Sequence, residues 1–181
     1  MHNEFTAILD GVWPVEKPET IFGTNQKPED VAALLQANFL PADKMAIGFT
    51  PVVVNTGKEL VLFDTGRGSA NGGQLAATLA AAGFTPEQID IVVITHCHPD
   101  HIGGVAADGK ASFPNARYVI GETEYAFWSA PERLSGPTEG AAKLVAANVT
   151  PFKDKMTFLK NDSEVVPGIR AIDAPGHTPG H

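Results

Sequence analysis

Residues 89–104 read Ile89-Asp90-Ile91-Val92-Val93-Ile94-Thr95-His96-Cys97-His98-Pro99-Asp100-His101-Ile102-Gly103-Gly104. The first six are almost all β-branched, the pattern of a strand buried on both faces. This strand does not run into an ordinary turn, because four of the six positions from 96 to 101 are His or Asp, side chains that bind metals. With six histidines in 181 residues, an ordered His-x-His-x-Asp-His arises by chance in roughly three or four such chains in ten thousand, so composition does not explain it. In an extended strand end, residues i and i+2 point the same way. His96 and His98 can therefore offer imidazole nitrogens to one cation while Cys97 faces away as a buried thiol. Pro99 removes a backbone donor and fixes φ, which stops the strand and turns Asp100 and His101 toward a second cation ~3.5 to 4 Å from the first. Gly103 and Gly104 leave room for close backbone approach.

Upstream, residues 50–54 and 59–63 are β-rich runs joined by Asn55-Thr56-Gly57-Lys58, a hairpin composition. The second run ends at Asp64-Thr65-Gly66. Asp64 has two readings: a turn carboxylate bonding its own backbone, or an acceptor that orients a ligand histidine or the His-x-His loop. A glycine-rich segment then leads to residues 74–82, where Leu75 and Leu79 lie four apart in an alanine-rich helix that Gly83 can end. Thr85-Pro86-Glu87-Gln88 is a capping box with proline at the first helical position, enough for one short turn. Nearer the start, residues 28–38 predict a helix with Val31, Leu34 and Leu35 on one face and Glu29 and Asp30 in its first turn. His2 is read as an exposed terminal residue.

Downstream, residues 117–120 read as a strand, 122–129 as a helix carrying Tyr125, Phe127 and Trp128, and 138–148 as another helix. Residues 156–159 and 169–173 read as strands. Interleaved strands and helices with one hairpin predict an α/β fold with mixed, helix-covered sheets. The chain closes on Pro175-Gly176-His177-Thr178-Pro179-Gly180-His181, directly after the last expected strand. A tetrahedral site needs a third protein ligand beside His96 and His98, and His177, held between Gly and Thr-Pro at a strand end, suits that place. His181 is read as structural, bonding within its loop.

The composition, 43% hydrophobic and 19% charged, supports a folded core, and 181 residues without an internal repeat suit one domain. Acidic residues outnumber basic ones 21 to 13, and the net charge of −8 repels phosphate backbones and anionic lipid. A small-molecule substrate is expected, and neither nucleic acid nor a membrane is. The single cysteine cannot close an intrachain disulfide. No apolar run approaches the ~20 residues of a membrane span, and residues 1–10 lack the basic start and apolar stretch of a signal peptide. The chain is expected to be soluble and cytoplasmic by default, with a periplasmic or secreted location open if a leader has been removed.

Taken together and in this order, Asp64-Thr65-Gly66, His96-x-His98-x-Asp100-His101 and Gly176-His177-Thr178-Pro179-Gly180-His181 resemble the metallo-β-lactamase superfamily. The resemblance covers nearly the whole chain. The runs at 60–66, 84–88, Phe113-Pro114-Asn115-Ala116 and Val166-Pro167-Gly168-Ile169 are similar to the branch that contains methyl parathion hydrolase and related lactonases and arylesterases.

That resemblance implies an αββα sandwich, of which residues 1–181 form the N-terminal two-thirds or so, with two divalent ions in a cleft at one edge of the sheets. It implies zinc-type ions, with Mn, Fe or Co as alternatives. His96, His98 and His177 would hold the first ion, and Asp100 and His101 the second. A bridging hydroxide would attack, Asp100 would help orient it, and the ions would polarise a carbonyl or phosphoryl oxygen. Phe127 and Trp128 either line a leaving-group pocket or pack as a helix face in the core. The implied activity is hydrolysis of a small ester, lactone or phosphotriester; a thioesterase of the glyoxalase II kind, a β-lactamase and a non-catalytic metal-binding domain are the alternatives. An acidic chain without a basic patch disfavours the nuclease members. In the family a bridging Asp and a last His come after the Gly-His-Thr segment. The resemblance therefore implies a domain incomplete at its C-terminus, to be completed by further chain, by a second chain segment or in a homodimer; the alternative is a mononuclear, crippled version of the site.

Overall fold

The computed structural model describes residues 3–181, so His2 lies outside the described residues. In chain order the strands are β1 (Glu4–Ala7), β2 (Gly11–Glu16), β3 (Lys44–Phe49), β4 (Val52–Asn55), β5 (Leu60–Phe63), β6 (Ile91–Ile94), β7 (Ala106–Ala107), β8 (Lys110–Ala111), β9 (Arg117–Gly121), β10 (Met156–Leu159), β11 (Glu164–Val166) and β12 (Ile169–Arg170). The α-helices are α1 (Pro28–Ala37), α2 (Leu75–Ala81), α3 (Pro99–Ile102), α4 (Glu122–Ser129) and α5 (Glu139–Asn148). None of these helices is long and apolar enough to cross a membrane.

The chain forms two compact units, Met1–Gly11 with Thr50–His181, and Val12–Phe49. In the smaller one, β2 pairs with β3, and α1 starts on Pro28 with Glu29 and Asp30 in its first turn, as its sequence predicts. The apolar face expected of α1 is only half realised: Val31 and Leu35 are half-buried, while Leu34 is exposed.

The larger unit is built on a six-stranded sheet in the order β1-β4-β5-β6-β9-β10. The expected hairpin is present, β4 lying antiparallel to β5 with Val53 opposite Leu62 and Val54 opposite Val61. From β5 onward the sheet is parallel, β6 beside β5, β9 beside β6 and β10 beside β9. Alternate residues feed two separate cores. Val53, Leu62, Val92, Ile94, Tyr118 and Ile120 pack on the side covered by α2, α3, α4 and α5. Val54, Val61, Ile91, Val93 and Val119 pack on the other, under the β11–β12 ribbon. All four residues of β6 are buried, which is why its sequence runs without a polar position. Leu62 has no exposed surface. Leu62→Ala is expected to cost about 2–5 kcal/mol of stability through the cavity it leaves, read as a lower denaturant midpoint at unchanged slope.

The α/β class and the helix-covered mixed sheet expected from sequence are thus present. The strand expected over 169–173 is shorter. Only Ile169 and Arg170 pair as strand; beyond them Ala171 donates its amide to Ser163 O and accepts from the Asp162 amide, and the Asp173 amide donates to the Asn161 side chain, cross-segment bonds that do not extend the strand. Two strand-adjacent segments carry the work instead. Asp10, fully buried, accepts from the Arg67 and Leu75 amides and so fastens the glycine-rich loop and starts α2. The Asp64 amide donates to Val93 O and the Thr65 amide to His101 O, joining the end of β5 to β6 and to α3. Because β5, β6 and β9 are parallel, their C-terminal ends lie at one edge of the sheet, where open α/β sheets build sites.

Candidate metal centre

Asp64 stands at the end of β5 in a left-handed conformation, φ 61°, which Asp tolerates better than most residues. Its carboxylate reaches across to the neighbouring strand end. Oδ1 accepts from the Thr95 amide at 2.8 Å, and Oδ2 accepts from the Thr95 hydroxyl at 2.8 Å and faces His101 Nδ1 at 2.8 Å. Of the two readings of Asp64, the geometry is that of a carboxylate gripping the His-x-His loop.

This grip sets the state of His96. Ionised Asp64 can only accept, so the Thr95 hydroxyl gives it its proton; Thr95 Oγ, 3.1 Å from His96 Nδ1, then acts as acceptor for an Nδ1–H. The other ring nitrogen, Nε2, is left with a bare lone pair. It is buried and has no hydrogen-bond partner among the described residues, in a ring only 2% exposed. Burial, reinforced by the neighbouring histidines, pushes the His96 pKa down to about 3, so a proton does not fill the gap. A buried, neutral, unpartnered imidazole nitrogen is what a metal ligand requires and what a structural histidine avoids.

His98 and His177 supply the rest of a donor set. One ring nitrogen from each of His96, His98 and His177 lies within 4.8 Å of the others, and His98 Nδ1 is 2.9 Å from His177 Nε2. Burial and the His177 ring both lower the His98 pKa. Three convergent imidazoles fit a zinc-type divalent ion. Cys97 points away, fully buried, with burial pushing its thiol pKa up. The strand itself stops at Ile94, so His96 and His98 converge from the extended loop after β6. His98 then caps α3, and Pro99 is its first residue. Cβ atoms at Gly103 and Gly104 would overlap the carbonyls of Arg67 and Thr65, which bears out the close approach read from those glycines.

Asp100 and His101 sit on α3. His101 has Nδ1 on Asp64 and Nε2 3.4 Å from Asp100 Oδ2. Burial alone would lower its pKa, but the bonds to Asp100 and Asp64 win and raise it to about 9. His181, read as structural, closes its loop by accepting from the Ala174 amide at its carbonyl; its ring also lies 4.6 Å from that of His96, a neighbour no local pattern signals. Trp128 is buried, its indole N–H on Glu124 at 2.8 Å and its ring 5.8 Å from His98. Phe127 is half-buried beneath the Arg133 guanidinium, 4.0 Å away. Glu124, wholly buried among these groups, is not singled out by the sequence.

The opposed shifts of His96 and His101 give chelator-treated protein a stability optimum. Between about pH 3 and 6.5 the unfolded chain protonates its counterpart of His96 and the native chain does not, so stability falls as pH drops. Between 6.5 and about 9 the native chain keeps the His101 proton that the unfolded chain has lost, so stability falls as pH rises. The melting temperature of metal-free protein is expected to peak near pH 6.5; a monotonic profile across pH 4–9 contradicts this.

A family model for the metallo-beta-lactamase superfamily matches residues 50–181. Among curated proteins the chain is similar to an N-acyl homoserine lactonase of Bacillus sp., 30% identical over 103 residues that cover 57% of this chain and 35% of that protein. It is similar also to the N-acyl homoserine lactonase AttM of Agrobacterium fabrum, 29% identical over 109 residues, 57% of this chain and 38% of that protein. Among solved structures, AidC, a dizinc quorum-quenching lactonase in complex with a product N-hexnoyl-L-homoserine, has a TM-score of 0.82 at 28% identity, covering 98% of this chain and 65% of its own. The hydrolase AbOPH of the beta lactamase superfamily has the same score and identity over 99% of this chain and 65% of its own. The chain therefore spans just under two-thirds of these structural relatives. The family match runs from the hairpin to the last histidine and takes in Asp64, the His96–His101 loop and His177, so the chain belongs to the metallo-β-lactamase superfamily.

Proposed function

We propose that the protein is a metal-dependent hydrolase that opens small lactones, with small esters and phosphotriesters as chemically related substrates. The observation that carries this reading is the unpartnered lone pair of buried His96 Nε2, converging with His98 and His177. The lactonases among its relatives support the choice of bond.

His96, His98 and His177 would hold one divalent ion and Asp100 and His101 a second, with zinc the first choice and Mn, Fe or Co compatible with the same donors. Such ions supply Lewis acidity toward a carbonyl or phosphoryl oxygen and make water a nucleophile near neutral pH. The protein's own residues do the rest. Asp64 and Thr95 hold His96 in the tautomer that leaves Nε2 free, and Asp64 orients His101 through Nδ1. Asp100, its side chain partly exposed beside His101 Nε2, would orient the attacking water, and the proton that water gives up passes to the departing oxygen. Water adds to the lactone carbonyl carbon, the ring C–O bond breaks, and the departing oxygen takes up a proton to leave a hydroxy acid.

A substrate panel on the intact protein, loaded in turn with Zn, Mn and Co, tests this reading. N-acyl homoserine lactones are expected to turn over fastest, with paraoxon slower. A glutathione thioester or nitrocefin cleaved in preference to any lactone would overturn the assignment.

A further inference from the structure

We propose that Glu124 is a positioning residue that holds the two halves of the metal centre in register, the His96–His98 loop on one side and the His177 loop on the other. This rests on the proposed metal centre. Glu124 lies in the first turn of α4, where β9 ends at the same sheet edge as β5 and β6. It has no exposed surface, an unusual setting for a carboxylate, which must then find enough donors to replace its water.

It finds four, and they divide between its oxygens. Oε1 accepts from the Cys97 amide and the Trp128 indole N–H, each at 2.8 Å. Oε2 accepts from the Thr178 hydroxyl at 2.7 Å and the Gly180 amide at 3.0 Å. Cys97 is the residue between His96 and His98, and Thr178 is the residue after His177. One oxygen therefore grips each ligand loop, and Trp128 turns the carboxylate so that it can reach both. Gly180 completes the fit: a Cβ there would overlap the Glu124 backbone, so only glycine lets the His177 loop lie this close to α4. The loop needs such an anchor because no strand runs up to His177; β12 stops at Arg170. Four donors demand a group that only accepts, and an amide in its place would turn an N–H₂ against the donors of one loop.

Zinc affinity of the intact protein, measured by chelator competition, tests the assignment in a double-mutant cycle. Glu124→Gln is expected to weaken zinc binding roughly 10–100-fold, the usual cost of losing a partner behind the ligands. After His177→Ala there is no second half to keep in register, and the same substitution is expected to change affinity by less than about twofold. Equal losses in both backgrounds would assign Glu124 to general stability and overturn the proposal, as would no loss in either. If Glu124→Gln does not fold by circular dichroism, Thr178→Val, which deletes one donor of one loop, is expected to show the same pattern at smaller size; its absence overturns the proposal equally. A His96→Ala control separates the two readings. If it binds zinc as tightly as the unmutated protein, the metal-centre reading itself falls. If it loses zinc while Glu124→Gln keeps it, only the role of Glu124 falls.

Discussion

His96→Ala is expected to abolish metal retention and hydrolysis together. His96 is the most buried of the three convergent imidazoles and the one whose state is set by a chain of bonds through Thr95 to Asp64. Loss of a partner behind a ligand costs roughly 10–100-fold in affinity or activity; loss of the ligand itself is expected to exceed that range. Stability should respond differently. His96 Nε2 has no partner to lose, and the Thr95 hydroxyl keeps its bond to Asp64 when the ring is gone. Metal-free His96→Ala protein is therefore expected to melt at or above the temperature of metal-free unmutated protein. Metal content and lactone turnover measured beside the melting curve check this; turnover that survives the substitution, or a large drop in metal-free melting temperature, would mark His96 as a structural histidine.

Stripping the metal is expected to have the second largest effect. The ion binds the native arrangement and not the unfolded chain, so at a free concentration one hundred times its dissociation constant it adds about 2.7 kcal/mol of stability. For a chain of this size that corresponds to a fall of about 5–10 °C in melting temperature on chelation. Hydrolysis should drop to background at the same time, and both should return on adding zinc. Because His101 carries a proton well into the basic range without metal, rebinding should also release protons, measurable in weakly buffered solution. Unchanged melting and turnover after exhaustive chelation would remove the metal from the mechanism.

Much of this site is legible in the sequence because its signals are local. The buried strand at Ile91–Ile94, the hairpin of β4 and β5, and the helix at Leu75–Ala81 each reflect the period of their apolar residues. The His-x-His pair and the turn at Pro99 come from neighbouring residues acting on one another. Where the signal is not local, the sequence says less. Asp64 stands between two roles in sequence because its partners, Thr95 and His101, lie 31 and 37 residues away. Residues 169–173 have strand composition, yet only two of them find a ladder partner, since pairing belongs to the neighbour and not to the segment.

Phe127 and Trp128 stand between pocket and core in sequence for the same reason. The indole of Trp128 is buried against Glu124 and lies beside His98, a placement that depends on how α4 packs after β9. Asp10 and Glu124 give no sequence signal at all, being single carboxylates without a motif. Each becomes informative only when burial brings amides to it from distant segments.

The amino-acid sequence alone determined the class of fold, the candidate metal-binding side chains and the family resemblance, since these rest on periodicity and on short motifs. The tertiary structure alone decided which nitrogen of His96 is bare, that Asp64 reaches the next strand end, and that Glu124 holds two ligand loops. Those facts are contacts among loops and helix starts that the parallel sheet brings to one edge, and a hydrogen bond across 27 or 54 residues leaves no period for a sequence to show.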